Sequence, residues 1–206
     1  MSQGTPSTKQ KLLEVAEELF AARGVEATLI GDIVQGAGQR NPSALRYHFG
    51  SREGVLQAIR EKYLAQLEQR RAELLEKWPA PGPSTPRDAV TIVVAPLVEL
   101  LRDEGGRRYL RILGQTLFEL NTDQMVGVDR YPSLARSFDL MRAGMEHVPD
   151  NLVEDRVKGV LTLVSAALAT RARDAATGRR MPNSIPDFKA NVIAMATAVL
   201  TAPIDV

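Results

Sequence analysis

The 206-residue sequence has no cysteine, two histidines, one tryptophan and an aromatic share of only 5%. Without cysteine there can be no disulfide scaffold, thiolate metal site or cysteine nucleophile, and the composition fits a reducing compartment. A cytoplasmic location is expected. Neither HExxH, GxSxG nor a complete phosphate-loop motif occurs. Carboxylates are plentiful, but Glu14, Glu17 and Glu18, like Asp103 and Glu104, read as solvated helix or loop faces rather than an acid-base pair. Catalysis is therefore not expected, and no metal or cofactor is called for. An excess of one charge is also lacking: 26 basic against 25 acidic residues leave a net charge of +1. General attraction to nucleic acid or an anionic membrane is then weak, and any such binding must come from a local patch. Long apolar runs are missing too; even 190–202 is interrupted by Asn191 and two threonines, so no membrane span is expected. The start, MSQGTPSTKQKLLEVAEELF, passes from polar residues into an amphipathic pattern, which predicts no secretory leader.

What is present is helix signal. Ser7 with Gln10 forms a capping-box signature ahead of Leu12, Leu13, Ala16, Leu19 and Phe20, and Gly24 stops that helix. Thr28 predicts the N-cap of a short second helix with Leu29, Ile30, Ile33 and Val34 facing inward and Gly36 and Gly38 at its end. Asn41-Pro42 reads as cap and first residue of a third helix of about two turns, closed by Gly50. Ser51 then caps a long fourth helix on which Val55, Leu56, Ile59, Tyr63, Leu67, Leu74 and Trp78 share a face. PAPGPSTP, residues 79–86, ends it.

Further on, TIVVAPLVELL within 88–101 can be read as helix or strand, and Pro96 argues against a central strand. Gly105-Gly106 separates this from a helix over 107–120, and NTDQMVGVD reads as a loop. Pro132 opens a helix to about 146, Asp150 caps one over 151–176, and Ser184 with Asp187 starts the last, through Leu200. The expected fold is all-α, with about nine helices. A three-helix unit containing a helix-turn-helix occupies 1–50, and a larger helical body occupies 51–206.

The stretch QRNPSALRYHFGSREG, 39–54, supplies the local patch. Arg40, Arg46 and Arg52 fall within thirteen residues, and a guanidinium can pair with a guanine edge or clamp a phosphate. Asn41 and Ser43 present short hydrogen-bonding groups or simply cap the helix. Tyr47 and His48 can reach phosphate oxygens, whereas Phe49 is expected in the core. The plain alternative is a solvated turn and short helix that happen to be basic.

Residues 24–56 resemble the DNA-binding domain of the TetR family of bacterial transcriptional regulators. The resemblance rests on Gly24, Thr28, Ile33, Ala37-Gly38, Tyr47 with His48-Phe49, and Ser51-Arg52-Glu53 with Leu56, in fixed order. Two departures stand out. Gln39-Arg40 replaces the family's usual valine-serine, and Phe49 lies eleven positions after Gly38 where the common pattern has ten. Counted back from Phe49, the family's phosphate-contacting tyrosine falls on Arg46, with Tyr47 as the other claimant.

The resemblance implies DNA contacts by Thr28, Arg40, Asn41, Ser43, Arg46, Tyr47, His48 and Arg52, with Thr28 and Arg52 on phosphates. It implies a homodimer through 151–176 and 187–200, a palindromic operator, and a body that binds a small effector. Phe118, Met125, Tyr131, Phe138, Met141, Met145 and Trp78 are the apolar candidates for its lining, with Arg111, Gln115 and Asn121 as polar ones. A mainly apolar molecule would suit them. The expectation is therefore a ligand-responsive regulator, a repressor in particular. The alternative is a helical ligand-binding or protein-interaction module without specific DNA binding.

Overall fold

The computed structural model describes residues 7–41, 43–80, 82–117 and 130–204. Its helices are α1 Thr8–Arg23, α2 Ile30–Gly36, α3 Ser43–Phe49, α4 Arg52–Glu76, α5 Pro86–Glu99, α6 Glu104–Thr116, α7 Pro132–Ala143, α8 Asp150–Ala176 and α9 Ile185–Thr201. A 3₁₀ turn, Leu100–Arg102, follows α5, and no strand occurs among the described residues. The all-α expectation holds. The chain forms two compact units that divide inside α4, between Tyr63 and Leu64.

In the first unit the Ser7 capping box forms as expected: Gln10 N donates to Ser7 Oγ at 3.2 Å, and Ser7 N to Gln10 Oε1 at 2.8 Å. Leu12, Ala16, Phe20, Ile33, Leu45, Val55, Leu56 and Ile59 make its core. One carboxylate is buried there. Glu17 accepts from Lys62 Nζ at 2.9 Å and Tyr63 Oη at 2.7 Å, which satisfies an ion that would otherwise be costly to desolvate. The second helix corrects two expectations. Its N-cap is Leu29 rather than Thr28, and Leu29 and Ile30 are 66% and 38% exposed. Seven residues present only about one inward row, and Ile33 and Val34 occupy it.

In the second unit, Thr85 and Asp88 form a capping box for α5, which continues through Pro96 as a helix and removes the strand alternative. Gly105-Gly106 does not separate two helices. Asp103 Oδ1 accepts from Gly106 N at 2.7 Å and starts α6 at Glu104, while a Cβ on Gly106 would lie 2.1 Å from the Leu100 carbonyl oxygen. That glycine is present because the new helix starts against the 3₁₀ turn. The start of α7 has no cap of its own; Glu68 of α4 reaches it, accepting from Ser133 N at 2.6 Å and Leu134 N at 3.3 Å. Asp150 is the first residue of α8 rather than its cap, which is Pro149. Ser184 caps α9 as expected, accepting from Asp187 N at 3.2 Å.

Two arginines close the α8–α9 pair. Arg156 Nη1 donates to the carbonyls of Val199 and Leu200 at 3.1 and 3.0 Å, satisfying the end of α9. Arg171 donates to the side-chain and backbone oxygens of Asn183, each at 2.7 Å, and lies over the Phe188 ring. Helix α6 packs on α8, and α5 lies against both α7 and α9. The α6–α8 approach depends on Gly114, where a Cβ would come within 2.4 Å of Ala169 Cβ. Gly114→Ala is expected to destabilise the protein by about 1–3 kcal/mol in denaturant unfolding, and Ala169→Gly in the same chain should recover part of the loss.

Candidate nucleic-acid interface and body cavity

The α2–α3 turn is fixed by backbone geometry. Gly38 has φ +68°, a conformation costly for residues with a Cβ, and the chain reverses there. Gly38 N donates to Gln35 O and Gln39 N to Val34 O, both at 3.0 Å, completing a Schellman motif. Asn41 then caps α3, its Oδ1 accepting from Ser43 N at 2.9 Å. Pro42, expected as the first helical residue, lies outside the described residues. Leu45 is fully buried and anchors α3. Phe49, expected in the core, is only half-buried, with Lys9 Nζ 5.7 Å from its ring. Leu45 was legible as the apolar residue central to SALRYHF, but the larger ring of Phe49 is the more conspicuous anchor in that segment.

With Leu45 inward, the opposite face of α3 points outward. Arg40, Asn41, Ser43 and Arg46 are exposed, Tyr47 is 86% exposed, and His48 is half-buried with its ring centroid 5.0 Å from that of Tyr47. Ion pairing then sorts the unit's arginines. Arg23 meets Asp32 at 2.9 Å, Arg60 meets Glu53 at 3.2 Å, and Arg52 meets Glu26, also donating to the Glu26 carbonyl at 3.0 Å. Arg40 and Arg46 have no acidic partner among the described residues. Two guanidinium groups are thus left without an acidic partner, Arg40 in the α2–α3 turn and Arg46 on α3.

Two residues of the expected contact set have internal partners. Thr28 is fully buried, and its hydroxyl donates to the Gly24 carbonyl at 2.7 Å, so its side chain holds the α1–α2 turn rather than facing a phosphate. Arg52 ties the start of α4 to the same turn through Glu26. Nothing in the residue types distinguished Arg52 from Arg46; the distinction comes from Glu26, twenty-six positions away.

In the second unit, α4, α5, α6, α7 and α8 enclose a cavity of about 70 Å³ lined by Leu67, Leu97, Tyr109, Phe138 and Val164 among others. Of the expected lining, Phe138 is there. Met141 on α7 and Met145 just beyond its end are buried core residues outside the lining. Gln115 is exposed, Arg111 faces Glu104 at 3.6 Å, and Tyr131 and Trp78 are half-buried outside the lining. Phe118, Asn121 and Met125 lie outside the described residues. Sequence reasoning missed Arg71, which is 2% exposed and lines the cavity. The signal was present: Leu67, Arg71 and Leu74 follow the helical repeat, which puts position 71 on the apolar face of α4.

A helix-turn-helix followed by further helices, as the described residues show, is an arrangement found among DNA-binding proteins. Residues 12–59 match the family described as bacterial regulatory proteins, tetR family. Over 75 residues it is 35% identical to the HTH-type transcriptional repressor KstR2 of Mycobacterium tuberculosis, covering 36% of this chain and 37% of that protein. The chain therefore aligns with little more than a third of the length of this curated relative. The whole fold is similar to AmtR of Mycobacterium smegmatis, with TM-score 0.56, 19% identity and 99% coverage of both chains. It is similarly close to a tetR family regulator structure from Shewanella sp. PV-4, with TM-score 0.56, 18% identity and 93% and 96% of the two chains covered.

The sorting of arginines has a direct consequence. Arg52→Ala is expected to lower unfolding stability by about 0.5–1 kcal/mol, kept small because the pair is partly solvated, whereas Arg46→Ala should leave it unchanged. Equal losses in thermal unfolding would remove the distinction between them.

Proposed function

We propose that the chain is a ligand-responsive regulator of transcription, a repressor that binds a palindromic operator as a homodimer through α3. The carrying observation is the pair Arg40 and Arg46, unmatched by acids, beside an 86% exposed Tyr47 on the outward face of α3 in a TetR-family domain. In a chain of net charge +1, such a local arrangement supports affinity where overall charge does not. Arg40, Asn41, Ser43, Arg46, Tyr47 and His48 form the proposed contact set, with the arginines able to meet guanine edges or phosphates. The name of the relative KstR2 as a repressor favours that sign of control.

The proposed dimer forms through α8 and α9. Ala166, Ala194, Met195 and Ala198 leave small apolar surface exposed there, Met195 by 39%, and small side chains let helices approach closely. A twofold dimer would set its two α3 helices ~34 Å apart, one turn of DNA. The effector would bind the body cavity, and α4, which belongs to both units, would relay its occupancy. Such a ligand acts only by binding one state of the protein more tightly than the other.

A mobility-shift titration against DNA flanking the protein's own gene separates this reading from a module that does not bind DNA. Saturable binding that outlasts nonspecific competitor is the expected result. Arg46→Ala should weaken it by about 1–3 kcal/mol and reduce the salt slope by about one unit for each phosphate no longer neutralised, about two per dimer. An unchanged affinity and slope would remove Arg46 from the contact set.

A further inference from the structure

Arg71 is out of character with its surroundings. It comes from the middle of α4, is 2% exposed, and is the one charged side chain among the described residues lining the body cavity. Its Nε and Nη1 atoms are buried and have no hydrogen-bond partner among the described residues. Its nearest acid in sequence, Glu68, has both carboxylate oxygens engaged by the backbone of α7. Burial lowers the guanidinium to about 10, and Glu68 and Tyr109 oppose that shift, so the side chain stays charged at neutral pH. A buried cation with unpaired donors destabilises a folded chain unless an acceptor completes it.

Resting on the reading of the body as an effector-binding unit, the geometry points to a carboxylate subsite at Arg71. The cavity takes a small monocarboxylate, its apolar part against Leu67, Leu97, Phe138 and Val164 and its anionic group on the free N–H donors of Arg71. One cation in an otherwise uncharged, mainly apolar lining selects a single negative charge, since a second would be desolvated without compensation. The carboxylate is favoured over a neutral acceptor because a charge-assisted hydrogen bond is about twice as strong as a neutral one. The volume of about 70 Å³ gives room for roughly five water-sized groups, which suits an acid with on the order of five to eight non-hydrogen atoms. This sharpens the expected mainly apolar effector into an amphipathic anion.

Thermal unfolding of the full chain with butanoate, hexanoate, octanoate and benzoate, each beside its primary amide, tests the subsite. At least one acid should raise Tm by about 3–6 °C at ten times its dissociation constant, with its amide bound tenfold or more weakly. Arg71→Met should erase the difference between acid and amide. In the absence of ligand that variant should melt no lower than wild type, because it removes a desolvated cation with unsatisfied donors while Glu68 keeps its backbone donors. Amides equal to acids, no shift with any compound, or a variant that melts more than about 5 °C lower would each overturn the proposal. A mobility shift with the best acid separates the two readings: binding with no effect on the DNA complex keeps the subsite and removes its regulatory role.

Discussion

The structure depends first on how a helix of seven residues is held in place. A segment that short has no stability of its own in water, because a first turn fixes several residues for one hydrogen bond. Its ends and one side chain must therefore be supplied with partners from outside. Gly38 and the Schellman motif set the direction of entry, Asn41 caps the first turn, and Leu45 fixes rotation about the axis. Once Leu45 is inward, the outward positions of Arg46 and Tyr47 follow from the helical repeat. Hydrogen bonds and ion pairs of the unit act around this frame: Glu26 with Arg52 and Thr28 with the Gly24 carbonyl hold the neighbouring turn, while Glu17 joins α1 to Lys62 and Tyr63.

The second unit uses α4 differently. Glu68 and Arg71 lie three residues apart on the same helix, yet one has all its hydrogen bonds within the protein and the other has donors to spare. Glu68 serves as the cap that α7 lacks, placing a negative charge at a helix N-terminus where it is favoured. Arg71 is held among apolar side chains. The contrast makes one residue a structural tie and the other a candidate point of recognition, and both sit on the helix proposed to connect effector and DNA.

The sequence carried much of this in local form. The capping box at Ser7, the caps at Asn41, Ser51 and Ser184, and the proline at the start of α7 all involve atoms a few residues apart, so residue order exposes them. The failures share a cause in distance. Gly106 looked like a breaker because Leu100, whose carbonyl it accommodates, belongs to another element in a linear reading. Arg52 looked like Arg46 because Glu26 is remote, and Leu29 and Ile30 were turned inward by composition when only one row of α2 meets the core. Arg71 was passed over because a charged residue on an apolar stripe is usually read as an interruption of that stripe. The family match reinforces the domain carrying the motif, whereas the body is similar to known structures in fold alone.

The central claim is that α3 reads a specific duplex as one of a twofold pair. Repeated selection of bound molecules from a random-sequence duplex library, followed by sequencing, addresses it with no operator assumed. The account predicts enrichment of an inverted repeat whose half-sites are centred about one helical turn apart, ~10 bp. Final pools indistinguishable from the starting library, or enrichment of a single unrepeated site, would contradict it.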